Sequence, residues 1–483
     1  MNSSQIAPVE YLSAAHHLQQ RQHQQWLLGL DDWASLTQAK VQDLLPFTQA
    51  ATRPRILLNL QNPTAFLAAF LAACITESPV FLGNPTWSQS DWQQVLTLSQ
   101  PHIIWSDTDL GQSSLVTPPS AGHRGQIMIP TGGSSGQIRF AMHTWTTLMA
   151  SVQGTQQYFE VPAIHSCCAL PLYHVSGLMQ FLRSFTTGGK LVILPFRDLW
   201  NGTSANPEIA DFLEVRSHLP QTFFLSLVPT QLQRLLQKTE CLPWLTQFHT
   251  VLLGGAPATP DLLDAARHHQ IHLAPTYGMT ETAAQIATLK PEDFLKGHCS
   301  SGQILPHAQI EIQNTEQQPL PLNQTGRVVV HSPSLCLGYY PDRFTHFGTF
   351  VTDDLGYLSE GEANRDLNLH IVGRHSRKIL SGGENIFPEE IEAAIHATGF
   401  VTDVYVMSLA DQEWGEVAIA LYTPATPEIS ALEIKAALQS RLSKFKYPKR
   451  WIVVDEIPRN SQGKVSRTEL GVMLRSHFNT QDC

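Results

Sequence analysis

The hydrophobic pattern of the first part of the chain alternates between short apolar runs and longer mixed segments. Short runs of the kind that form buried strands are followed by segments with the length and composition of helices. The strand-like runs are residues 55–60, 79–82, 102–105, 190–194, 223–228 and 250–253, and the helix-like segments are residues 63–75 and 88–99. This βαβ order predicts an α/β fold in which a mainly parallel sheet is flanked by helices.

The pattern changes after about residue 300. Residues 309–312 and 326–330 alternate more strictly between apolar and polar positions than the earlier runs do, as half-exposed antiparallel strands do. A compact tail follows, with helices predicted at residues 388–397 and 430–442 and strands at residues 404–406, 416–422 and 450–454. We therefore expect a large N-terminal domain over residues 1–375, with parallel or mixed sheets and a small antiparallel part. A small mobile α+β domain should occupy residues 376–483.

Composition and charge narrow the class of protein. The chain has 483 residues, which exceeds the roughly 100–200 residues of an ordinary domain. Apolar residues make up 42% and charged residues 15%, as in a globular protein. The net charge of −10 argues against nucleic acid as a partner, because phosphate backbones are bound by clustered Lys and Arg.

The cysteines and the N-terminus indicate a cytoplasmic setting. None of the seven cysteines forms a CxxC pair, so neither a zinc site nor a disulfide framework is predicted. The N-terminus lacks an apolar signal segment, and residues 16–25 read as a polar, solvated helix. The longest apolar run, residues 65–75, is much shorter than the roughly 20 residues of a membrane span, so membrane insertion is not expected.

The first motif with chemical potential directly follows the apolar run at residues 126–129. It consists of Thr131, Gly132, Gly133, Ser134, Ser135 and Gly136, with Arg139 shortly downstream. Three glycines allow close backbone approach, and hydroxyl and N–H groups can then surround a phosphate. Taken alone, a flexible Gly/Ser linker explains these residues equally well. The motif is not a Walker A loop, since no Gly-Lys-Ser/Thr follows.

The second motif combines hydroxyls, an aromatic ring and a carboxylate. It includes Thr276, Tyr277, Gly278, Met279, Thr280 and Glu281. The ring can stack on a purine, the threonines can bind phosphate oxygens, and Glu281 can hold Mg²⁺. Taken alone, an ordinary strand-to-helix turn with a capping Thr and Glu is the commoner explanation.

Three shorter motifs follow in the second half. Asp354 lies in an acidic segment and could pair with ribose hydroxyls, although acidic turns are common. Arg374 follows a glycine and precedes the segment with Ser381, Gly382 and Gly383. Lys464 follows a glycine-containing turn near the C-terminus, where a lone lysine is most often simply solvated.

The order and spacing of these five motifs resemble the adenylate-forming superfamily of acyl-CoA synthetases, luciferases and adenylation domains. The resemblance extends from about residue 55 to residue 470. A closer similarity is carried by the segments Pro-Leu-Tyr-His-Val-Ser-Gly-Leu at residues 171–178 and Gln-Ile-Ala-Thr-Leu at residues 285–289. Both are similar to the 2-succinylbenzoate–CoA ligases, a family that serves menaquinone or phylloquinone synthesis.

This resemblance implies an acid–thiol ligase that uses ATP, Mg²⁺ and coenzyme A. The acid would first become an acyl-adenylate with release of pyrophosphate, and CoA would then displace AMP. Lys464 would bridge the carboxylate and the α-phosphate, with Thr280 and Glu281 beside it and Mg²⁺ at Glu281. Residues 131–136 and Arg139 would hold the leaving phosphates. Asp354 would bind the ribose beside Arg374, and the adenine slot would be lined by Gly255, Ala256 and Pro257.

The resemblance also assigns the acyl pocket and the second half-reaction. The pocket would include His174, Ser176, Gly177 and Leu178, with His174 gating the thiol path or touching the acid; a core histidine is the alternative. Arg183 or Ser226 could take a second carboxylate of the acid. The small domain would rotate about Ser376 and bring residues 381–385 to the CoA path.

The sequence departs from the superfamily pattern at three positions. Arg139 stands within Ile-Arg-Phe, where Pro-Lys-Gly is usual, and keeps the positive charge. Ser376 replaces the usual Asp or Lys of the hinge, and Gly132 stands where Ser is common. We expect activity and rotation to survive these changes.

Alternatives stay open within and outside this chemistry. The chain could act on another aryl or acyl substrate, or load a carrier-protein thiol. Residues 170–178 lack the Asp that amino-acid-activating relatives carry, which counts against the latter. It could also be a catalytically silent homologue, although the joint presence of Lys464, Glu281, Asp354 and Arg374 argues against that. The oligomeric state, including a homodimer, is not fixed by the sequence.

Overall fold

A computed structural model describes most of the chain. The described residues are 11–30, 32–48, 53–107, 123–132, 138–194, 223–361, 366–381, 384–411, 415–438, 441–442, 446–459, 464–466 and 469–474. Their α-helices are α1 Ala14–Arg21, α2 Trp33–Thr48, α3 Pro63–Ile75, α4 Gln89–Ser99, α5 Trp145–Phe159, α6 Val175–Thr187, α7 Pro229–Leu236, α8 Leu242–Leu245, α9 Pro260–His268, α10 Pro291–Leu295, α11 Pro388–His396 and α12 Ala431–Ala437.

The first of three sheets has seven strands in the order β17-β16-β6-β5-β3-β2-β4. These strands are β2 Ile56–Asn59, β3 Val80–Leu82, β4 Ile103–Ser106, β5 Gln126–Gly132, β6 Ile138–Thr144, β16 Gly338–Tyr339 and β17 Asp342–Arg343. Strands β2 to β5 run parallel, and β6 turns back antiparallel to β5.

The second sheet has twelve strands in the order β1-β8-β7-β9-β10-β11-β12-β13-β19-β18-β15-β14. Its parallel part contains β1 Leu27–Leu28, β7 His165–Cys168, β8 Leu191–Ile193, β9 Phe223–Leu227, β10 Thr250–Leu253 and β11 Leu273–Met279. Its antiparallel part contains β12 Ala284–Thr288, β13 Gln303–Ile304, β14 Gln309–Gln313, β15 Gly326–His331, β18 Thr349–Glu360 and β19 Leu367–Arg374. The sheet therefore changes direction at β11 and β12.

The largest core cluster joins the first two sheets through α3 and α6. Helix α3 is apolar along its length, and eight successive residues, 66–73, are buried. Helix α6 buries residues 177–185, and both helices contribute to one cluster together with β2, β3 and β5. Burial of this much apolar surface is the main force that holds the two sheets together.

A third sheet is built entirely from residues after Ser376. It contains β20 Ile379–Ser381, β21 Glu384–Ile386, β22 Val401–Asp411, β23 Gly415–Pro424 and β24 Arg450–Val453. Helices α11 and α12 pack against it in a separate hydrophobic cluster. A short 3₁₀ turn, His375–Arg377, connects it to β19.

The predicted fold class and elements are confirmed with two corrections. The mixed α/β architecture, the parallel strands of the first half, the antiparallel pair β14–β15 and a small sheet after Ser376 are all present. The helix predicted at residues 430–442 is shorter, because α12 spans Ala431–Ala437. Among the described residues, no helix is both long and apolar enough to cross a membrane.

The N-terminal helix is not solvated on all sides as predicted. Helix α1 buries His17, Leu18 and Arg21 against the first core. The Arg21 guanidinium donates to the Gly189 carbonyl and lies 5.0 Å from the Trp26 ring centroid. The prediction was wrong because long polar side chains can cover the core with their apolar parts, and composition alone does not show this.

Candidate active site

Three parallel strands, β9, β10 and β11, end at one edge of the twelve-stranded sheet, where ligands of α/β proteins usually bind. Strand β10 is followed by Gly254 and Gly255. A side chain at Gly254 would approach the Thr276 hydroxyl to 2.5 Å, and Gly255 has φ +85°. Both positions therefore favour glycine. The predicted adenine segment, residues 255–257, begins shortly after this strand ends.

The second motif forms a hairpin, which corrects the alternative of a strand-to-helix turn. Strand β11 continues through Thr276, Tyr277 and Gly278 to Met279. A 3₁₀ turn, Thr280–Thr282, then leads into the antiparallel strand β12. The motif residues are thus fixed by a strand ladder on one side and a tight turn on the other.

The Glu281 side chain is buried in this turn, with 7% of its surface exposed. The Tyr339 hydroxyl donates to Glu281 Oε1 over 2.6 Å. The Arg139 guanidinium lies 4.3 Å from the centroid of the same Tyr339 ring. Tyr339 therefore joins the predicted metal-binding carboxylate to the arginine of the phosphate loop, a role that sequence reasoning missed.

The predicted phosphate loop lies between β5 and β6, which pair in an antiparallel ladder. Thr131 pairs with Arg139, and Gly132 pairs with Ile138 in the antiparallel ladder. The remaining predicted loop residues, Gly133 to Gly136, lie outside the described residues. Arg139 is the second residue of β6, so the strand fixes its backbone, and its guanidinium lies beside Tyr339.

Asp354 is the centre of a second polar cluster. The Tyr277 hydroxyl donates to Asp354 Oδ2 over 2.7 Å, and Arg374 Nε lies 3.3 Å from Oδ1. Burial and the nearby carboxylate raise the pKa of Tyr277 well above its usual value, so its hydroxyl stays protonated and donates. The sequence placed these three residues in separate motifs, and the structure brings them together.

Lys464 follows β24 of the third sheet in the chain, and its ammonium group lies within electrostatic range of Asp354 and Arg374. Burial and the positive charge of Arg374 lower the pKa of Lys464, whereas the negative charges of Glu281 and Asp354 act in the opposite direction. Lys464 keeps solvent-exposed surface, although protein atoms surround its ammonium group. Charged residues from three of the other four motifs therefore lie within electrostatic range of the Lys464 ammonium group.

His174 lies at the start of α6, where its backbone is extended and its side chain is buried. Burial lowers the pKa of His174 to about 3, with a smaller contribution from the charge of Lys464. The ring is therefore neutral at physiological pH and lies within range of the lysine. Of the other predicted pocket residues, Gly177 and Leu178 are buried and Ser176 is partly buried.

A buried polar cluster lies deeper, between α6, β12 and the loop before β14. Arg183 is 3% exposed and donates to Gln285 Oε1 over 2.7 Å. Gln285 pairs with Gly278 of the second motif in the β11–β12 ladder. Several buried polar atoms of this cluster have no hydrogen-bond partner among the described residues, namely Arg183 Nε, Gln285 Nε2 and both ring nitrogens of His307.

The cluster is also positively charged. Burial lowers the pKa of Arg183 to about 10, and its Nε has no hydrogen-bond partner among the described residues. Burial and the charge of Arg183 lower the pKa of His307 to about 4, so that ring is neutral. A buried cation with unpaired polar neighbours is costly in a closed protein, which indicates a place for an anionic ligand. The alternative residue Ser226 lies in β9 and is 8% exposed.

The predicted hinge residue, Ser376, is hydrogen-bonded to Asp353 of β18. Its N–H donates to Asp353 Oδ1 over 3.2 Å, and its hydroxyl donates to Oδ2 of the same carboxylate. Ser381 is the last residue of β20 and pairs with Glu384 of β21, and the neighbouring predicted residues Gly382 and Gly383 lie outside the described residues.

The residues that the sequence did not identify share one property. Tyr339, His307 and His143 have no local pattern that marks them, and each acquires its contacts from a distant segment. Only the Gly-Tyr pair at residues 338–339 offers a weak signal, since a glycine before an aromatic residue often marks a close approach.

Comparison with known proteins gives consistent matches. The family model for AMP-binding enzymes matches residues 108–340, and that for the C-terminal domain of AMP-binding enzymes matches residues 390–464. A 2-succinylbenzoate–CoA ligase from Enterococcus faecalis is 32% identical over 354 residues, which are 72% of this chain and 69% of the relative.

Solved structures resemble the whole fold. The o-succinylbenzoate CoA synthetase from Bacillus subtilis in complex with its acyl-adenylate intermediate superposes with a TM-score of 0.79 at 23% identity, covering 96% of this chain and 98% of the other. A second structure of that enzyme, in complex with ATP and magnesium, gives a TM-score of 0.77 at 24% identity, covering 95% and 98%.

Proposed function

The chain belongs to the AMP-binding enzyme family, among its 2-succinylbenzoate–CoA ligases, and from that premise we propose that it converts 2-succinylbenzoate and coenzyme A into the corresponding CoA thioester at the expense of ATP. The reaction passes through an acyl-adenylate and releases pyrophosphate and AMP. This is a step of menaquinone or phylloquinone synthesis, and we place it in the cytoplasm.

One observation carries the proposal. The Lys464 ammonium lies within electrostatic range of Glu281, Asp354 and Arg374 together, and the charge of Lys464 also acts on His174. These residues are far apart in the chain. Their convergence supports a single site where a carboxylate meets a nucleotide.

The first half-reaction joins two anions, so the site must offset their repulsion. The acid's carboxylate attacks the α-phosphorus, and the bond to the bridging oxygen breaks as pyrophosphate leaves. In this proposal Lys464 contacts both the carboxylate and the α-phosphate. Asp354 accepts hydrogen bonds from the ribose, Thr280 contacts the α-phosphate, and Arg139 with residues 131–136 binds the leaving phosphates.

The residues present fit Mg²⁺ as it is usually bound in nucleotide sites. This ion is commonly held by one or two carboxylates together with substrate phosphates and water. Glu281 offers one buried carboxylate, and no cluster of three or more metal-binding side chains occurs in the described part of the chain. When bound there, Mg²⁺ neutralises phosphate charge.

The acid itself is selected, we infer, by the buried cluster around Arg183. 2-Succinylbenzoate carries two carboxylates, and only one is activated. The other would pair with the Arg183 guanidinium, whose Nε has no hydrogen-bond partner among the described residues. Gln285 and His307 carry unpaired polar atoms beside it that could hydrogen-bond the same group. This favours Arg183 over Ser226 as the specificity residue.

The second half-reaction needs a different arrangement of the two domains. In it the CoA thiolate attacks the acyl carbon, and the bond to AMP breaks. We propose that residues 376–483 rotate about Ser376 against residues 1–375, which removes Lys464 and brings residues 381–383 toward the thiol path. The bonds from Ser376 to Asp353 would have to break in that step.

Acid-dependent exchange of labelled pyrophosphate into ATP tests the proposal, because it reports the first half-reaction without CoA. Exchange with 2-succinylbenzoate, and little with benzoate, a medium-chain fatty acid or amino acids, supports it. Exchange with an amino acid would favour the loading of a carrier protein. Exchange with none of these acids would favour a catalytically silent homologue.

A further inference from the structure

The turn that carries Glu281 has an unusual backbone. We call residues 280–284 the Glu281 turn. Within it Ala283 and Ala284 have φ angles of +52° and +88°, in the left-handed region that residues with a side chain rarely adopt. Such conformations persist where surrounding contacts determine them, and they concentrate at functional sites.

The surrounding contacts reach the turn through its carbonyl groups. Four successive carbonyl oxygens each accept a hydrogen bond from a different group. The pairs are Thr280 O with His143 Nε2 at 2.8 Å, Glu281 O with Cys336 N at 2.8 Å, Thr282 O with Ser334 Oγ at 3.0 Å, and Ala283 O with Ser151 Oγ at 2.6 Å. The donors belong to β6, α5 and the segment after β15, so three separate parts of the fold hold this turn.

The geometry at His143 defines its tautomer. The Thr280 carbonyl can only accept, so Nε2 must carry the proton. Nδ1 lies 3.0 Å from the Thr147 hydroxyl and accepts from it if the ring is neutral. The ring is completely buried, and this burial lowers the pKa of His143 to about 4, which agrees with a neutral ring.

The bond from His143 holds the peptide group that links Thr280 to Glu281. The Thr280 carbonyl and the Glu281 N–H belong to one planar peptide group. Fixing that carbonyl therefore fixes the orientation of the Glu281 Cα. The Glu281 carboxylate is fixed separately, by the Tyr339 hydroxyl.

Two sets of contacts fix Glu281, one at its carboxylate and one at its backbone, and both start from residues of β6. Arg139 and His143 are four residues apart on β6, so their side chains project to the same face of the strand. Arg139 contacts Tyr339, which donates to the carboxylate, and His143 donates to the backbone. Strand β6 thus couples the end of the phosphate loop to the position of Glu281.

We propose that His143 is a positioning residue that sets Glu281 for magnesium–nucleotide binding through the Thr280 carbonyl. The inference rests on the proposed function, in which Glu281 lies beside Mg²⁺. A purely structural role would stabilise the fold without affecting the affinity for Mg²⁺ and ATP. The two roles therefore differ in a measurable quantity.

The test compares three variants of the full-length protein. His143→Leu removes the donor and keeps a buried side chain, whereas His143→Gln restores an N–H near the position of Nε2. Met142→Ala is the matched control, because Met142 is a fully buried neighbour on β6 whose side chain packs in a different cluster. Each variant is compared with the wild type in thermal unfolding and in calorimetric ATP binding over a range of Mg²⁺ concentrations.

We expect His143→Leu to weaken Mg²⁺-dependent ATP binding by about 10–100-fold, as substitution of groups that orient metal ligands commonly does. His143→Gln should recover most of that loss, and Met142→Ala should lower the unfolding temperature without weakening binding. Equal binding by His143→Leu and the wild type would overturn the inference. So would equal weakening by Met142→Ala.

This readout is independent of the acid. If the wild type binds Mg²⁺ and ATP but activates none of the acids tested, the proposed substrate is wrong, and the comparison among variants still decides the role of His143. If the wild type does not bind ATP at all, both the inference and the proposed function fail. If activity with 2-succinylbenzoate is present and His143→Leu binds normally, only the inference fails.

Discussion

Asp354 lies directly opposite Arg374 in the antiparallel ladder of β18 and β19, with Arg374 Nε 3.3 Å from the Asp354 carboxylate. The pair lies at the connection between the large sheet and the segment that leads to the third sheet. Tyr277 donates to the other oxygen of the same carboxylate. The Asp354 carboxylate is thus held in place by one guanidinium and one hydroxyl group.

Replacing Asp354 by Asn should raise the KM for ATP by about 10–100-fold, because a hydrogen bond to a charged group contributes roughly 1.5–3 kcal/mol. The KM for the acid should change much less. Steady-state kinetics with ATP and with 2′-deoxy-ATP provide the check. The wild type should discriminate against the deoxy analogue, and the variant should not.

Tyr277→Phe is the matched control for this prediction. It removes the hydroxyl that donates to Asp354 but keeps the ring. Its effect on the KM for ATP should be smaller than that of Asp354→Asn. An Asp354 variant that still distinguishes the two nucleotides would contradict ribose recognition by this carboxylate.

Replacing Lys464 by Ala should separate the two half-reactions. Formation of the acyl-adenylate should slow by at least about 100-fold, since the charge that offsets the two anions is lost. Thioester formation from a synthetic acyl-adenylate should be nearly unchanged. Rapid-quench measurement of each step gives the comparison, with Lys435→Ala on α12 as a control lysine in the same part of the chain.

The lowered pKa of Lys464 predicts that the rate of adenylate formation depends on pH. The pKa of Lys464 is lowered by burial and by Arg374, so its proton is lost at a lower pH than that of an ordinary lysine. The protonated form is the active one in the first half-reaction. Adenylate formation should therefore decline as the pH rises through this lowered pKa, while the second half-reaction keeps its rate. A parallel decline of both steps would count against the assignment.

Arg183 should determine which acids are accepted. Arg183→Leu should lower kcat/KM for 2-succinylbenzoate by about 100-fold, because a buried charge-assisted contact with the second carboxylate is lost. An analogue that lacks the second carboxylate should be used by the variant at least as well as by the wild type. Competition assays with the two acids measure this change of preference.

The decisive result for Arg183 is the change of preference and not the loss of activity. A buried arginine also contributes to packing, so both acids would suffer alike if the role were structural only. Arg183→Lys keeps a charge and should recover part of the preference. If Arg183→Leu retains the wild-type preference, another residue recognises the second carboxylate.

His17 should make the protein less stable in mild acid. Burial and the charges of His16 and Arg21 lower the pKa of His17 to about 4 in the folded chain, against about 6.5 for an unfolded chain. The unfolded state therefore binds more protons between these values. The stability from a neutral His17 is complete above pH 6.5 and is lost as the pH falls toward 4, by at most about 3 kcal/mol.

Thermal unfolding of the wild type and of His17→Leu between pH 7.5 and 4.5 measures this contribution. The wild type should lose more stability on acidification than the variant, because only the wild type must accept that proton. Equal pH dependence of the two proteins would show that His17 does not titrate as the structure implies.

Periodicity identified the elements of this fold but not all of their environments. The apolar run at residues 63–75 predicted α3 with its observed bounds, because a helix buried on all sides is apolar throughout. The segment that forms α1 was read as solvated, since a buried His17 and Arg21 look the same in sequence as exposed ones. Burial of long polar side chains depends on what packs over them.

In the candidate site, too, local sequence patterns predicted some residues, whereas others could be found only from contacts between distant segments. Lys464, Glu281, Asp354 and Arg374 were predicted from motifs, and the structure brings them within range of one another. The roles of Tyr339 and His143 depend on contacts across 58 and 137 positions of the chain, and no local pattern encodes such contacts. The hairpin form of the second motif was also missed, because a turn with Thr and Glu is compatible with either a helix start or a strand return.

The most direct measurement is the identity of the product that the purified protein forms from ATP, Mg²⁺, CoA and 2-succinylbenzoate. Mass spectrometry should find one CoA thioester of this acid for each AMP released, and none from benzoate, a medium-chain fatty acid or amino acids. Lys464→Ala should form neither product at a comparable rate. A thioester formed preferentially from another acid, or AMP released without any thioester, would contradict the proposed function.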